Sequence, residues 1–174
     1  MPPIIPQIIG LLAVAAFLLS YQLKKRSQII AMNVTSRILY ILQYLLLGAY
    51  AGAVLDVFGA LSSVIAGKKH LPFIQKHTKL CFWVINALII ITGLVITFIS
   101  KNPLDLLPLA GVLLHTSAFW ITDEKIIRRV SLIGSPFWMT YNLITGAYFC
   151  AAGDVLTMVS IVTAMIKYQD FKKK

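Results

Sequence analysis

The stretch LGAYAGAVLDVFGALSSVIA, residues 47–66, is apolar enough to lie in a lipid bilayer, yet it contains a carboxylate at Asp56. A second stretch of the same form, TGAYFCAAGDVLTMVSIVTA, follows at residues 145–164 with Asp154 in the equivalent place. Aligned, and extended by two residues at the N-terminal side, the stretches share about ten identities over 22 positions. A repeat of this length indicates two copies of one structural unit.

The composition of the 174-residue chain is that of an integral membrane protein. Hydrophobic residues make up 59% of it and charged residues 13%, whereas soluble domains are about 45 to 50% apolar. A helix that spans a bilayer needs roughly 20 mainly apolar residues, so the chain has room for about six or seven such helices joined by short loops. No soluble domain of useful size is expected.

Seven apolar segments follow one another, and we interpret each as a transmembrane helix. They cover residues 6–23, 28–48, 50–67, 80–99, 104–121, 127–147 and 149–167. The first segment lacks the basic start and small-residue cleavage site of a signal peptide, so we expect it to remain as a span.

The positions of lysine and arginine predict the orientation of the chain. Of the 16 basic residues, 14 lie in or next to the loops that follow the first, third, fifth and seventh segments, where the net charge of +10 is concentrated. Cytoplasmic loops are enriched in these residues. We therefore expect a multi-pass protein with its N-terminus outside and its C-terminus in the cytoplasm. Topology explains the charge, so we predict no nucleic-acid partner.

Spans one to three resemble spans five to seven. Span four crosses the membrane between them, so the second triplet begins on the same side of the membrane as the first. Both triplets therefore run the same way through the membrane, related by an axis along the membrane normal. We predict an all-α fold built as a 3+1+3 parallel repeat. Its units are a first bundle at residues 1–69, a linker with span four at residues 70–101, and a second bundle at residues 102–174.

Several stretches resemble the YgjV-type bacterial inner membrane proteins, namely QIIGLLAVAAFLLSYQLKKRSQ, LLLGAY and NPLDLLPLAGVLLHTSAFW. The 3+1+3 plan and Gln22 at the cytoplasmic end of the first span are also similar to the PQ-loop group, which includes the SWEET sugar and PnuC vitamin transporters. Tyr21 stands where that group has its proline. The resemblance implies a place in the bacterial inner membrane and a small polar solute, such as a sugar, vitamin or nucleoside-like molecule.

Away from the ends of the predicted spans, four Arg, Asp or His side chains lie within them: Arg37, Asp56, His115 and Asp154. A charge at the bilayer centre costs about 2.5 to 3.5 kcal/mol on insertion scales, so these groups must face protein or water. Arg37 and Asp56 can form an ion pair that either locks two helices together or lines a substrate cavity. In the second triplet Ser135 stands at the position equivalent to Arg37. Asp154 therefore has no arginine at that position to pair with, which makes it a candidate for proton coupling. His115 is either a proton carrier or a packing residue.

Polar and aromatic residues at matching positions of spans two and six complete the predicted substrate-binding set. They are Tyr40, Gln43, Trp138, Tyr141 and Asn142. Aromatic rings with a few amides suit a flat or sugar-like uncharged ligand. Tyr and Trp near a span end also serve as interfacial anchors, which is the alternative interpretation.

The sequence has no phosphate-binding glycine loop, no HExxH and no cysteine cluster, so we predict no catalytic residue, metal or cofactor. Cys81 and Cys150 fall at opposite membrane faces and are not expected to pair. The main hypothesis is a transporter or facilitator whose partners are the lipid bilayer and a small polar solute, with alternating access between the two bundles. The alternative is a non-transporting scaffold, receptor or partner subunit. The small residues of GALSSVIAG, residues 59–67, either pack against another helix or mediate homodimerisation.

Overall fold

The computed structural model describes residues 3–20, 26–68, 71–121 and 123–168. Within these ranges the chain forms eight α-helices and one 3₁₀ turn at Pro103–Asp105, and no strand. The helices are α1 (Ile4–Ser20), α2 (Arg26–Leu46), α3 (Tyr50–Gly67), α4 (Pro72–Lys76), α5 (Thr78–Ser100), α6 (Leu106–Trp120), α7 (Glu124–Ile144) and α8 (Tyr148–Lys167). Gln22 and the basic residues Lys24, Lys25, Lys69 and Lys172–Lys174 lie outside the described residues.

All helices except α4 fall on the apolar segments predicted from the sequence, with ends that differ by a few residues. The prediction missed α4, a single turn of five residues that begins at a proline, a residue suited to the first position of a helix. By length and composition, α3, α5 and α8 can each cross a bilayer, and α1 is a shorter apolar helix. The arrangement of seven spans therefore stays a prediction.

The two turns that carry the sequence repeat have the same backbone geometry. Gly48 and Gly146 have φ angles of +70° and +79°, in the left-handed region that is unfavourable for residues with a Cβ atom. In each turn the N–H of the next alanine, Ala49 or Ala147, donates to the carbonyl five residues earlier at 2.8 Å. This is the glycine-based Schellman closure of a helix end, and it turns α2 into α3 and α7 into α8.

Helix packing follows the same pattern in both halves of the chain. In the first half α2 packs against α1 and α3, and in the second half α7 packs against α6 and α8. Between the halves, α3 packs against α6 and α8 packs against α1. The third helix of each half thus contacts the first helix of the other, while α5 packs against α3 and α6.

Two contacts between the halves occupy equivalent positions of the sequence repeat. Cys150 Sγ on α8 donates to Gln43 Oε1 on α2 at 2.6 Å. The backbone N–H of Gly52, in the first turn of α3, donates to the hydroxyl oxygen of Tyr141 on α7 at 3.0 Å. The repeat alignment equates Gln43 with Tyr141 and Gly52 with Cys150. The sequence repeat therefore has an equivalent in the side-chain packing of the described residues.

The outer surface of the bundle is apolar. On α5 the side chains of Trp83, Ile91 and Phe98 are 68%, 60% and 84% exposed. Soluble proteins seldom expose large contiguous apolar surfaces, whereas a surface that contacts lipid consists of them. Polar side chains such as Gln43, Asp56 and Asn142 are buried instead.

Candidate functional site

A cavity of about 70 Å³ lies between the two halves of the bundle. Helices α1, α2 and α3 of the first half and α6, α7 and α8 of the second half all contribute side chains to its walls. One buried water molecule needs about 10 to 15 Å³ of such space, so the cavity is large enough for several.

Most of the predicted site residues line this cavity. They are Arg37, Tyr40, Asp56, His115, Trp138, Asn142 and Asp154. The two others, Gln43 and Tyr141, are buried beside it, in the counterpart contacts between the halves. The structure places these two at helix-packing positions.

Further lining residues were not among those predicted: Phe17, Tyr44, Val112, Gly153 and Thr157. Only Tyr44 had a clear signal in the sequence. It lies four residues after Tyr40 and seven after Arg37, so the three side chains share one face of a helix. In the repeat alignment it also matches Asn142, which was predicted.

The ion pair predicted between Arg37 and Asp56 is present. Nη1 of Arg37 donates to Oδ1 of Asp56, and the two side chains are 12% and 6% exposed. Gly59, one turn after Asp56, makes room for the guanidinium, because a Cβ atom there would lie 2.5 Å from Nη1. The pair joins α2 to α3 within the first half and forms one wall of the cavity.

Asp154 has a different environment from its repeat equivalent. Its Oδ2 accepts a hydrogen bond from Asn142 Nδ2 at 2.8 Å, and Asn142 Oδ1 accepts one from the hydroxyl of Tyr44 at 2.8 Å. The bond between Tyr44 and Asn142 crosses from the first half to the second. Within the described ranges no ion pair involves Asp154, so a neutral amide takes the place that Arg37 has beside Asp56.

His115 lies at the side of the cavity that the second half provides. Its Nε2 is 3.2 Å from the carbonyl oxygen of Ser131 and 3.5 Å from Oγ of Ser135, the residue that replaces Arg37 in the repeat. A carbonyl oxygen only accepts, so the contact with Ser131 requires a proton on Nε2. Among the residues the structure describes, no three His, Cys, Asp or Glu side chains are grouped so as to hold a metal ion.

Three aromatic rings from both halves stack along the cavity. The ring of Tyr44 lies between those of Tyr40 and Trp138, with centroid distances of 6.5 and 6.0 Å and interplanar angles of 24° and 18°. Tyr141 meets Tyr44 and Trp138 edge-on. Trp138 and Tyr141 are buried, so the alternative interpretation of these two as interfacial anchors is wrong.

An all-helical bundle with an apolar outer surface and a buried cavity of charged and aromatic side chains is a membrane protein. The chain matches the sequence model of the Imp-YgjV family, described as bacterial inner membrane protein, over residues 4–172, and it belongs to this family. The resemblance to the YgjV-type proteins is thereby confirmed. The chain matches none of the curated proteins and none of the solved structures.

Proposed function

We propose that the protein carries a small polar solute across the bacterial inner membrane, as a transporter or facilitator. The observation that supports this proposal is the cavity between the two halves, whose walls contain Arg37, Asp56, His115 and Asp154. Ionisable groups at membrane depth are costly to bury and usually mark solute or ion pathways. A protein that only packed helices together would not need four of them around one cavity.

In this proposal the chain has seven spans in a 3+1+3 arrangement, with its N-terminus outside. Helices α1–α3 and α6–α8 are the two bundles, and α5 is the linker between them. The matching turns at Gly48 and Gly146 and the counterpart contacts of Gln43 and Tyr141 support two equivalent bundles. Rocking of one bundle against the other would open the cavity to either side in turn.

The contacts between the bundles suggest which way the cavity is closed. Gln43, Tyr44, Tyr141 and Asn142 lie in the last turns of α2 and α7, next to the turns expected to face outside. Tyr44 and Asn142 also line this end of the cavity. Their bonds across the two halves form a layer on the outer side. We therefore interpret this conformation as closed to the outside. Opening outward would require the bond between Tyr44 and Asn142 to break.

Reconstitution of the purified full chain into proteoliposomes tests the proposed transport. We expect saturable uptake of at least one member of a panel of small polar solutes, both neutral and charged. Uptake should fall at least tenfold in Asp154→Asn, which keeps the size of the side chain but removes its charge. Folded, monodisperse protein that gives no saturable flux with any solute would contradict transport and favour the scaffold or receptor alternative.

The proposed orientation predicts which thiols react from which side. Cys81 lies partly exposed at the start of α5, at the end expected to face the cytoplasm, and Cys150 is buried. A membrane-impermeant maleimide should therefore label Cys81 in inverted vesicles and not in intact cells, as measured by the mass shift of the protein. The matched control is Leu104→Cys in a Cys81→Ala background, which should react in intact cells. The reverse pattern would overturn the orientation.

A further inference from the structure

We propose that the cavity binds a small monovalent organic cation, held by the carboxylate of Asp154 and the stacked rings of Tyr40, Tyr44 and Trp138. This inference names the class of solute, and its translocation step rests on the transport function proposed above. It replaces the expectation of an uncharged ligand with that of a cation, because Asp154 lines the same cavity as the aromatic rings.

The charges around the cavity do not balance. The guanidinium of Arg37 is bound by Asp56, whereas Asp154 accepts its hydrogen bond from the neutral amide of Asn142. The single Nε2 proton that the Ser131 contact requires is already present in a neutral His115. One arginine therefore faces two aspartates, so one negative charge remains when both carboxyl groups are ionised. A carboxylate away from bulk water is stabilised by a nearby cation.

The hydrogen bonds of Asn142 leave part of this carboxylate available. Both ends of the amide are used, since Oδ1 accepts from Tyr44 and Nδ2 donates to Oδ2 of Asp154. Of the residues described, none donates a hydrogen bond to Oδ1 of Asp154. Asp154 also lines the cavity, so Oδ1 can accept from a ligand N–H group without breaking any bond of the site.

The aromatic rings favour the same class of ligand. The face of an aromatic ring carries negative charge density and attracts cations, most strongly for tryptophan. Tyr44 stacks between Tyr40 and Trp138, and its hydroxyl is bonded to the amide that holds Asp154. Rings and carboxylate thus belong to one connected unit. A neutral ligand would use only the rings, and an anion would be repelled by the carboxylate.

The size of the cavity limits the cation. Pockets for drug-sized ligands measure about 300 to 1,000 Å³, whereas this cavity has about 70 Å³. A guanidinium or small alkylammonium ion fits this scale better than a nucleoside does. A bacterial membrane potential that is negative inside would draw such a cation inward without a coupled ion.

Guanidinium and urea form a matched pair of probes, because they have nearly the same planar shape and differ in charge. We expect guanidinium chloride at millimolar concentration to quench or shift the tryptophan fluorescence of the purified full chain saturably. Methylammonium, which also combines a positive charge with N–H groups, should do the same, and urea should not. Asp154→Asn should weaken guanidinium binding at least tenfold. Asp105→Asn, which removes a carboxylate bonded to Ser100 outside the cavity, is the control and should bind as the wild type does.

The comparison of guanidinium with urea on the wild-type protein tests the inference even where a variant fails to fold. Equal responses to guanidinium and urea, or unchanged binding in a folded Asp154→Asn variant, would overturn it. In proteoliposomes with an inside-negative potassium diffusion potential, we expect uptake of radiolabelled guanidinium. Binding without uptake would contradict the transport function and leave the ligand class intact. Uptake of a neutral solute with no guanidinium binding would contradict the cation inference and leave transport intact.

Discussion

The variant Asp56→Ala is expected to lose about 3 to 5 kcal/mol of folding free energy, the range found when one partner of a buried ion pair is removed. The substitution leaves the guanidinium of Arg37 charged in a cavity wall where it is only 12% exposed. Thermal unfolding of the detergent-solubilised protein, together with the yield of monodisperse protein on size exclusion, measures the loss.

Double variants separate the structural role of the pair from a role in transport. Arg37→Met combined with Asp56→Leu removes both charges and should recover most of the stability, because apolar replacements of a buried pair are often neutral. The exchange Arg37→Asp with Asp56→Arg should also restore folded protein. If these doubles fold but carry no solute, the pair also has a functional role. Single variants as stable as the wild type would show that the pair makes no net contribution.

The second large effect is expected for Gly52→Cys, which should destabilise the protein by about 1 to 3 kcal/mol through overpacking. A Cβ atom at position 52 would lie 2.6 Å from Cε1 of Tyr141, and that ring is itself packed against Tyr44 and Trp138. The ring therefore cannot move aside without disturbing its neighbours. Thermal unfolding again provides the measurement.

A compensating change makes this prediction a test of the repeat. Gly52→Cys combined with Tyr141→Gln places a cysteine and a glutamine at the positions equivalent to Cys150 and Gln43, which are in contact. The double variant should be more stable than Gly52→Cys alone. If the double variant is no more stable than Gly52→Cys alone, the two contacts are not structural equivalents, and they no longer support a parallel repeat.

The sequence predicts the helices and the ion pair between α2 and α3 well. Long apolar segments indicate helices and glycine indicates the turns between them, so the helices agree with the structure to within a few residues at their ends, as do both glycine turns. Counting residues from the turn between α2 and α3 was enough to pair Arg37 with Asp56. The sequence model of the family then confirmed a bacterial inner membrane protein. Which helices cross the membrane, and in which direction, stays a prediction.

The rotation of each helix about its own axis was harder to predict. Gln43 and Tyr44 are neighbours in sequence, yet Tyr44 lines the cavity and Gln43 contacts α8. This difference depends on which helices of the other half lie beside α2, and local sequence does not contain that information. The same holds for the amide partner of Asp154, because Asn142 is positioned by a hydroxyl from the opposite half.

The contact between the first and last helices has a consequence for how the protein is made. Gln7 on α1 donates through Nε2 to the carbonyl oxygen of Gly146, in the turn that leads into α8, at 2.5 Å, and Val14 packs against Gly153. Helices of membrane proteins insert first and associate afterwards. During biosynthesis α1 is translated well before its neighbour α8. The bundle can close only after α8 has been made, and a nascent chain that stops before α7 leaves Gln7 without its acceptor.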